Sequence, residues 1–371
     1  MKSAVPVHPN SRLSESIAKW TIVGCCLLLL GIVAVLSTVR IAEQVAPPLV
    51  RNQKLESVPG IADTSQPGGQ SAQLVGEVGG QAPVFDGNRA YRYLRAICAF
   101  GNRMSGSAGM EQQQKMLEKH FRGLGAEVEY QRFQVRHPET GQPVRMANMI
   151  IPWHPESQQR ILLCAHYDTR PLPDRDPDPR KRRKGVFLGA NDGASGTALL
   201  MELGHHIAEL PDRLGIDFVL FDGEELVYQQ PRDRYFLGSQ WFAEKYRDAP
   251  PEYRYVAGVL FDMVADTKLS IYQEGHSVTW PETRPLVKEI WNTAARLGVK
   301  EFIPRSRYTI QDDHLPLYNI AKIPVCDLID FEYPDRSNRY WHTTSDAPGR
   351  CSAASLDKVG RVIHAWLSTK R

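Results

Sequence analysis

Four apolar runs rich in branched residues, each closing on a histidine or an aspartate, constrain this 371-residue chain most. They are ILLCAH, DFVLFD, VAGVLFD and IPVCDLID. Runs apolar at every position have no solvent face, so they predict strands buried on both sides. Helical stretches separate most of them: TALLMELGHHIAEL, GSQWFAEKYR, RPLVKEIWNTAARLG and SAASLDKVGRVIHAWL. That alternation predicts an α/β fold, a mostly parallel mixed sheet flanked by helices on both faces. A further run, MANMII, and the alternating segment AEVEYQRFQV add strands, and residues 109–123 add an amphipathic helix.

In open α/β sheets, ligands bind outside the carboxyl ends of the strands. The polar residues of this chain gather there. His166-Tyr167-Asp168 follows one run, Asp222-Gly223-Glu224-Glu225 the next, and Asp262 a third. Asn191-Asp192 precedes a helix, and Tyr340-Trp341-His342 follows the last run after a loop. His166, Asp192, Glu225, Asp262 and His342 are the nitrogen and oxygen donors that zinc takes. Asp192 could equally serve as a helix cap. Glu224 and Glu225 are adjacent acids at a buried strand end, where they repel unless a cation is near. A metal on Glu225 leaves Glu224 free as a general base. Asp312-Asp313-His314 presents a second acidic pair.

The net charge, 45 Lys+Arg against 42 Asp+Glu, is +3 and gives no field that argues for nucleic acid. It sums over unlike parts. Residues 1–19 read as a tail. Lys19 and Arg40 bracket twenty uncharged residues, 20–39, that would cover about 30 Å as a helix and span a bilayer. Trp20 suits the interface. Three basic residues lie before the segment (Lys2, Arg12, Lys19) and three after it (Arg40, Arg51, Lys54), so charge alone does not orient it. A first segment often serves as a signal anchor, which predicts a cytoplasmic N-terminus and an extracytoplasmic C-terminal domain. Residues 40–83 are rich in Gly, Pro, Ser and Gln and read as a flexible linker. Residues 84–371 form the folded domain.

Cys98, Cys164, Cys326 and Cys351 show no framework spacing and read as buried thiols. The stretch 170–185, RPLPDRDPDPRKRRKG, carries seven basic and three acidic residues. It reads as a solvated insertion, or as a patch for an anionic lipid or polymer.

HYD at 166–168, GANDGASG at 189–196, FDGEE at 221–225, the strand ending in Asp262 and WHTTSD at 341–346 stand in the order found in metallopeptidase family M28. The resemblance covers about residues 91–371. Within that family the chain looks like the glutaminyl cyclase (glutaminyl-peptide cyclotransferase) branch. Gln311-Asp312-Asp313-His314 matches the cyclases' QDDH, where peptidases usually have Ser at 312. Trp341 precedes the metal histidine, where peptidases usually have Tyr. FDGEELVYQQPRDRYFLGS has the cyclase-type length.

The resemblance implies one zinc ion held by Asp192, Glu225 and His342. It implies Glu224 as acid and base, Asp262 and Asp312 as a hydrogen-bonded carboxyl pair, and Trp341 with Gln311 at the substrate. Peptide or protein N-termini bearing glutamine would be the substrate, pyroglutamate and ammonia the products. The alternative is a dizinc aminopeptidase, in which His166 and Asp262 hold a second metal and Asp192 bridges. Two features depart from the animal cyclases: GANDGASG is closer to the peptidase form, and Gln230 stands where they place a second tryptophan.

Overall fold

The computed structural model describes residues 85–210 and 214–370. The expected anchor at 20–39 and linker at 40–83 lie outside them. Among the described residues, no helix is long and apolar enough to cross a membrane.

Among the described residues, eight strands and nine α-helices follow one another. Helix α1 (Gly87–Cys98) starts where Asp86 accepts the N–H groups of Asn88 and Arg89, and α2 (Ala108–Gly123) starts on Ser107. Each cap satisfies N–H groups that the helix itself leaves free. Strands β1 (Glu129–Arg136) and β2 (Pro143–Trp153) form an antiparallel pair. Next come β3 (Gln159–His166), the short α3 (Pro179–Lys184), α4 (Ala194–Leu203) and β4 (Gly215–Phe221). Helix α5 (Leu237–Asp248), β5 (Arg254–Asp262), β6 (Ile271–Gln273), α6 (Gly275–Thr279) and α7 (Arg284–Arg296) continue the chain. Strand β7 (Phe302–Ser306), α8 (His314–Asn319), β8 (Val325–Ile329) and α9 (Ala353–Ser368) complete it.

The main sheet has the order β1-β2-β4-β3-β5-β8. Strands β4, β3, β5 and β8 are parallel, while β2 joins β4 antiparallel. The four branched runs are thus the parallel strands, and MANMII lies in antiparallel β2. Strands β6 and β7 form a separate parallel pair.

Both sheet faces are buried, as the runs require. Leu163, Ala165, Phe218, Leu220, Val259 and Phe261 pack with residues of α1, α2, α4, α7 and α9. Their neighbours Leu162, Cys164, Val219, Phe221 and Leu260 face the other way, against Phe242 of α5 and Leu317 of α8. Side chains alternate across a strand, so a run apolar at every position fills both layers.

This topology places the site. From β3 the chain crosses through α4 to β4 on one side; from β4 it returns through α5 to β5 on the other side of β3. Strand order reverses around β3, and a crevice opens at the carboxyl ends there. Two glycines of 189–196 let α4 approach it. Gly193 has φ +93°, and a Cβ there would stand 2.7 Å from the Asp168 carbonyl oxygen; one on Gly196 would stand 2.2 Å from that of Phe261.

Candidate active site

His166 ends β3, Asp262 ends β5, and Glu224 and Glu225 follow β4. Asp192 precedes α4, whose cap position is Gly193 with no side-chain cap bond. Asp192 is therefore no helix cap, and its carboxylate is free for other work. His342 arrives from the loop after β8, with φ +57°.

These side chains meet. His166 Nε2 lies 3.2 Å from Asp192 Oδ1 and 3.4 Å from Asp262 Oδ1. Its Nδ1 lies 3.2 Å from Glu224 Oε2. On the other side, His342 Nε2 lies 3.6 Å from Asp192 Oδ2 and 2.7 Å from Glu225 Oε1. Asp192 thus turns one oxygen to each histidine. His166, Asp192 and Glu225 are buried; Glu224 keeps a small opening to solvent.

A buried carboxylate oxygen without a donor is costly. Asp192 Oδ2, Glu225 Oε2 and Asp262 Oδ1 have no hydrogen-bond partner. Burial, then the charge of Glu225, pushes the Asp192 carboxyl well above its usual range. Burial does the same to Glu224; His166 opposes it, while Glu225, Asp312 and Asp313 add to it. Burial also raises Glu225, but His342 and Arg170 outweigh that and hold it down to about 2. Burial lowers His342. The cluster is short of positive charge.

These residues fit zinc. Donors about 2.0–2.1 Å from a tetrahedral zinc stand roughly 3.4 Å apart, and Asp192 and His342 are 3.6 Å apart. The shorter His342–Glu225 contact is a direct hydrogen bond. Donor atoms of His166, Asp192, Glu224 and Glu225 also lie within 4.8 Å of one another. That group shares Asp192 and Glu225 with the expected triad, and His342 joins it through contacts with both.

Residues without an assigned role in the sequence hold these side chains in place. Asp168 accepts the backbone N–H of Glu224 at 3.1 Å and of Glu225 at 3.0 Å. Arg170 donates to Glu225 at 3.1 Å and is clamped by Asp174 at 2.7 Å. Asp346 accepts the N–H groups of Asn191 and Asp192, and the Tyr333 hydroxyl donates to it. Asp168 and Asp346 lie inside motifs noticed for their neighbours. Arg170 carried no signal beyond its membership of a charged stretch.

A cavity of about 460 Å³ opens on this cluster. Asp192, Glu224, Glu225, Asp262 and His342 form its floor, and Gln311, Asp312 and Trp341 line it as expected. The Trp341 ring lies tilted by 34° against His342, centroids 3.9 Å apart, and meets Phe331 edge-on at 5.1 Å. Ile310, Ile329 and Phe331 complete an apolar wall that the sequence did not mark. Gln230 lines the opposite side, where Tyr235 and Phe236 supply aromatic surface. Asp312 is buried, with Oδ1 on the Asp313 N–H and Oδ2 without a partner. Burial raises its carboxyl, and Asp262 is the next largest contribution. Asp313 takes the Ser239 hydroxyl and faces away from that role.

This is the donor set and crevice of a zinc-dependent exopeptidase fold. The family model for peptidase family M28 matches residues 148–367. Fimbriiglobus ruber glutaminyl cyclase superposes with a TM-score of 0.73 and 38% identity, over 78% of this chain and 97% of that one. A leucine aminopeptidase precursor from Bacteroides thetaiotaomicron gives 0.71 and 29%, over 78% and 99%. By sequence, the glutaminyl-peptide cyclotransferase of Drosophila melanogaster is 24% identical over 286 residues, 71% of this chain and 76% of its own length. The chain belongs to peptidase family M28, on its glutaminyl cyclase branch.

Proposed function

We infer that this chain is a zinc-dependent glutaminyl-peptide cyclotransferase, which closes an N-terminal glutamine to pyroglutamate and releases ammonia. One observation carries the reading: buried Asp312, its Oδ2 unpartnered, is pressed electrostatically by Asp262 in a pocket walled by Trp341. Two carboxyl groups so placed share a proton more readily than they both ionise. Such sharing would engage Asp262 with Asp312 rather than with a second cation.

Asp192, Glu225 and His342 would hold one zinc ion. When bound, zinc acts as a Lewis acid on the side-chain amide carbonyl of the substrate. Glu224 takes a proton from the attacking α-amine as the new C–N bond closes the ring. It delivers that proton to the departing nitrogen as the old C–N bond breaks and ammonia leaves. Its buried carboxyl, raised by neighbouring acids, is suited to both halves of that task. Trp341, Phe331 and Ile329 give a flat apolar wall that favours the bent substrate conformer. Because the reaction is intramolecular, holding that conformer supplies much of the acceleration.

The test is incubation of the full chain with a glutamine-initiated peptide, read by mass spectrometry, with metal analysis in parallel. Loss of one ammonia per peptide and one zinc per chain are expected. Release of free amino acids with two tightly bound zincs would establish the second reading, a dizinc aminopeptidase. Its support is the approach of His166 to both Asp192 and Asp262.

The uncharged segment 20–39 would tether the enzyme to a bilayer with the catalytic domain extracytoplasmic. Protease added outside intact cells should then degrade that domain; full protection would refute the orientation.

A further inference from the structure

The stretch 170–185 folds into a device beside the pocket rather than a free loop. Arg175 donates its backbone N–H to the His342 carbonyl at 3.1 Å, and its guanidinium lies 4.5 Å from the Trp341 ring centre. Asp176 accepts both the N–H and the hydroxyl of Thr344, at 2.9 and 2.6 Å. Helix α3 then runs from Pro179 to Lys184, and Gly185 returns the chain to Thr344, where a Cβ would stand 2.9 Å from the methyl. Both ends of α3 therefore close on Thr344, two residues from His342.

The charges of this device do not cancel locally. Asp174 is engaged by Arg170, Asp176 by Thr344, and Asp178 caps α3 through the Arg180 N–H. Asp176 is buried as a fastening, and Asp174 and Asp178 are exposed but already engaged by Arg170 and by the start of α3. Arg180, Lys181, Arg183 and Lys184 are exposed and, among the described residues, have no ion pair. Arg182 donates to the Asp176 carbonyl. A cationic ridge is thus tied beside the acidic pocket through Thr344, His342 and Trp341.

We propose that α3 selects substrates with acidic residues downstream of the N-terminal glutamine. The inference rests on the cyclotransferase reading of the same site. With the N-terminal glutamine on the floor, the rest of an extended peptide would run outward past the neighbourhood of Trp341 and His342, where the ridge is tied. A cationic ridge there raises the local concentration of acidic chains without touching the reacting atoms. The effect belongs in KM and vanishes as salt screens it.

The test compares glutamine-initiated peptides with acidic, neutral and basic tails on the full chain, at low and high salt. The expected result is a KM roughly tenfold lower for the acidic than for the neutral peptide at low salt, unchanged kcat, and convergence at high salt. The combined variant R180Q, K181Q, R183Q, K184Q should lose the preference and keep the activity on the neutral peptide. Equal KM values for all three peptides would overturn the inference and leave the cyclotransferase reading intact. Absence of ammonia loss from every peptide would overturn both. Co-sedimentation of wild type but not variant with phosphatidylglycerol vesicles, without any peptide preference, would reassign the ridge to a lipid surface and overturn it.

Discussion

Asp346 accepts the backbone N–H of Asp192 at 3.2 Å, so a carboxylate four residues beyond His342 orients Asp192 from a distant part of the chain. Its second oxygen takes the Asn191 N–H and the Tyr333 hydroxyl, which leaves it fully engaged. Asn191 in turn accepts the Ala265 N–H, just past the end of β5. Asp192 and the segment after β5 are thereby locked to one frame with the loop that carries His342, and none of these bonds uses an Asp192 carboxylate oxygen.

Replacing Asp346 should therefore loosen the metal. Asp346→Asn keeps the size but loses a pair of charged acceptors. Partners of this kind typically contribute 10- to 100-fold in metal affinity. Zinc affinity measured by chelator competition should fall by about that factor. An unchanged affinity would show that Asp192 needs no such support.

Glu224→Gln removes the proton carrier but not the expected ligands. Ammonia release should drop by roughly 10²- to 10⁴-fold, with one zinc still bound. A variant that retains the wild-type rate would take Glu224 out of the mechanism.

Trp341→Ala opens the apolar wall beside His342. Loss of a buried aromatic face should lower kcat/KM about 10- to 100-fold on a glutamine-initiated peptide. Circular dichroism should remain native, since Trp341 is only partly buried and packs at the pocket edge. Equal kcat/KM for the two proteins would mean that the substrate does not use this wall.

Glu202 gives a prediction about stability. Burial alone would raise its carboxyl, but hydrogen bonds from His206 and Arg89 and from the Asp86 N–H bring it down to about 2. A depressed acid stabilises the fold above its unfolded value of 4.5, and that stability drains away as pH falls toward 2. Glu202 is fully buried, and the contribution at neutral pH is on the order of 2–3 kcal/mol. Urea unfolding should show Glu202→Gln destabilised by that amount at pH 7. The gap between the two proteins should close between about pH 4.5 and pH 2. A gap that persists below pH 2 would assign the loss to packing rather than charge.

Much of this protein was legible from sequence because its strands are buried on both faces. ILLCAH, DFVLFD, VAGVLFD and IPVCDLID carry no polar alternation, and only a sheet covered on two sides accommodates them. Acids and histidines at their ends mark one edge, so His166, Asp192, Glu224, Glu225, Asp262 and His342 were assignable as a group. The partition between one metal and two was not. It depends on how close Asp312 comes to Asp262, and these residues are 50 positions apart on different elements. The supports of the site were hidden for the same reason. Asp168 and Asp346 accept distant backbone N–H groups, Arg170 donates to the Glu225 carboxylate and Tyr333 to that of Asp346, and no local spacing announces such bonds. The basic stretch after Arg170 shows the contrast most directly. Composition showed that charge is concentrated there, but only the tertiary contacts to Thr344 and Trp341 decided where it stands. Periodicity and burial are local properties of a chain and can be read along it. A site is a convergence of residues, and the fold alone determines which ones meet.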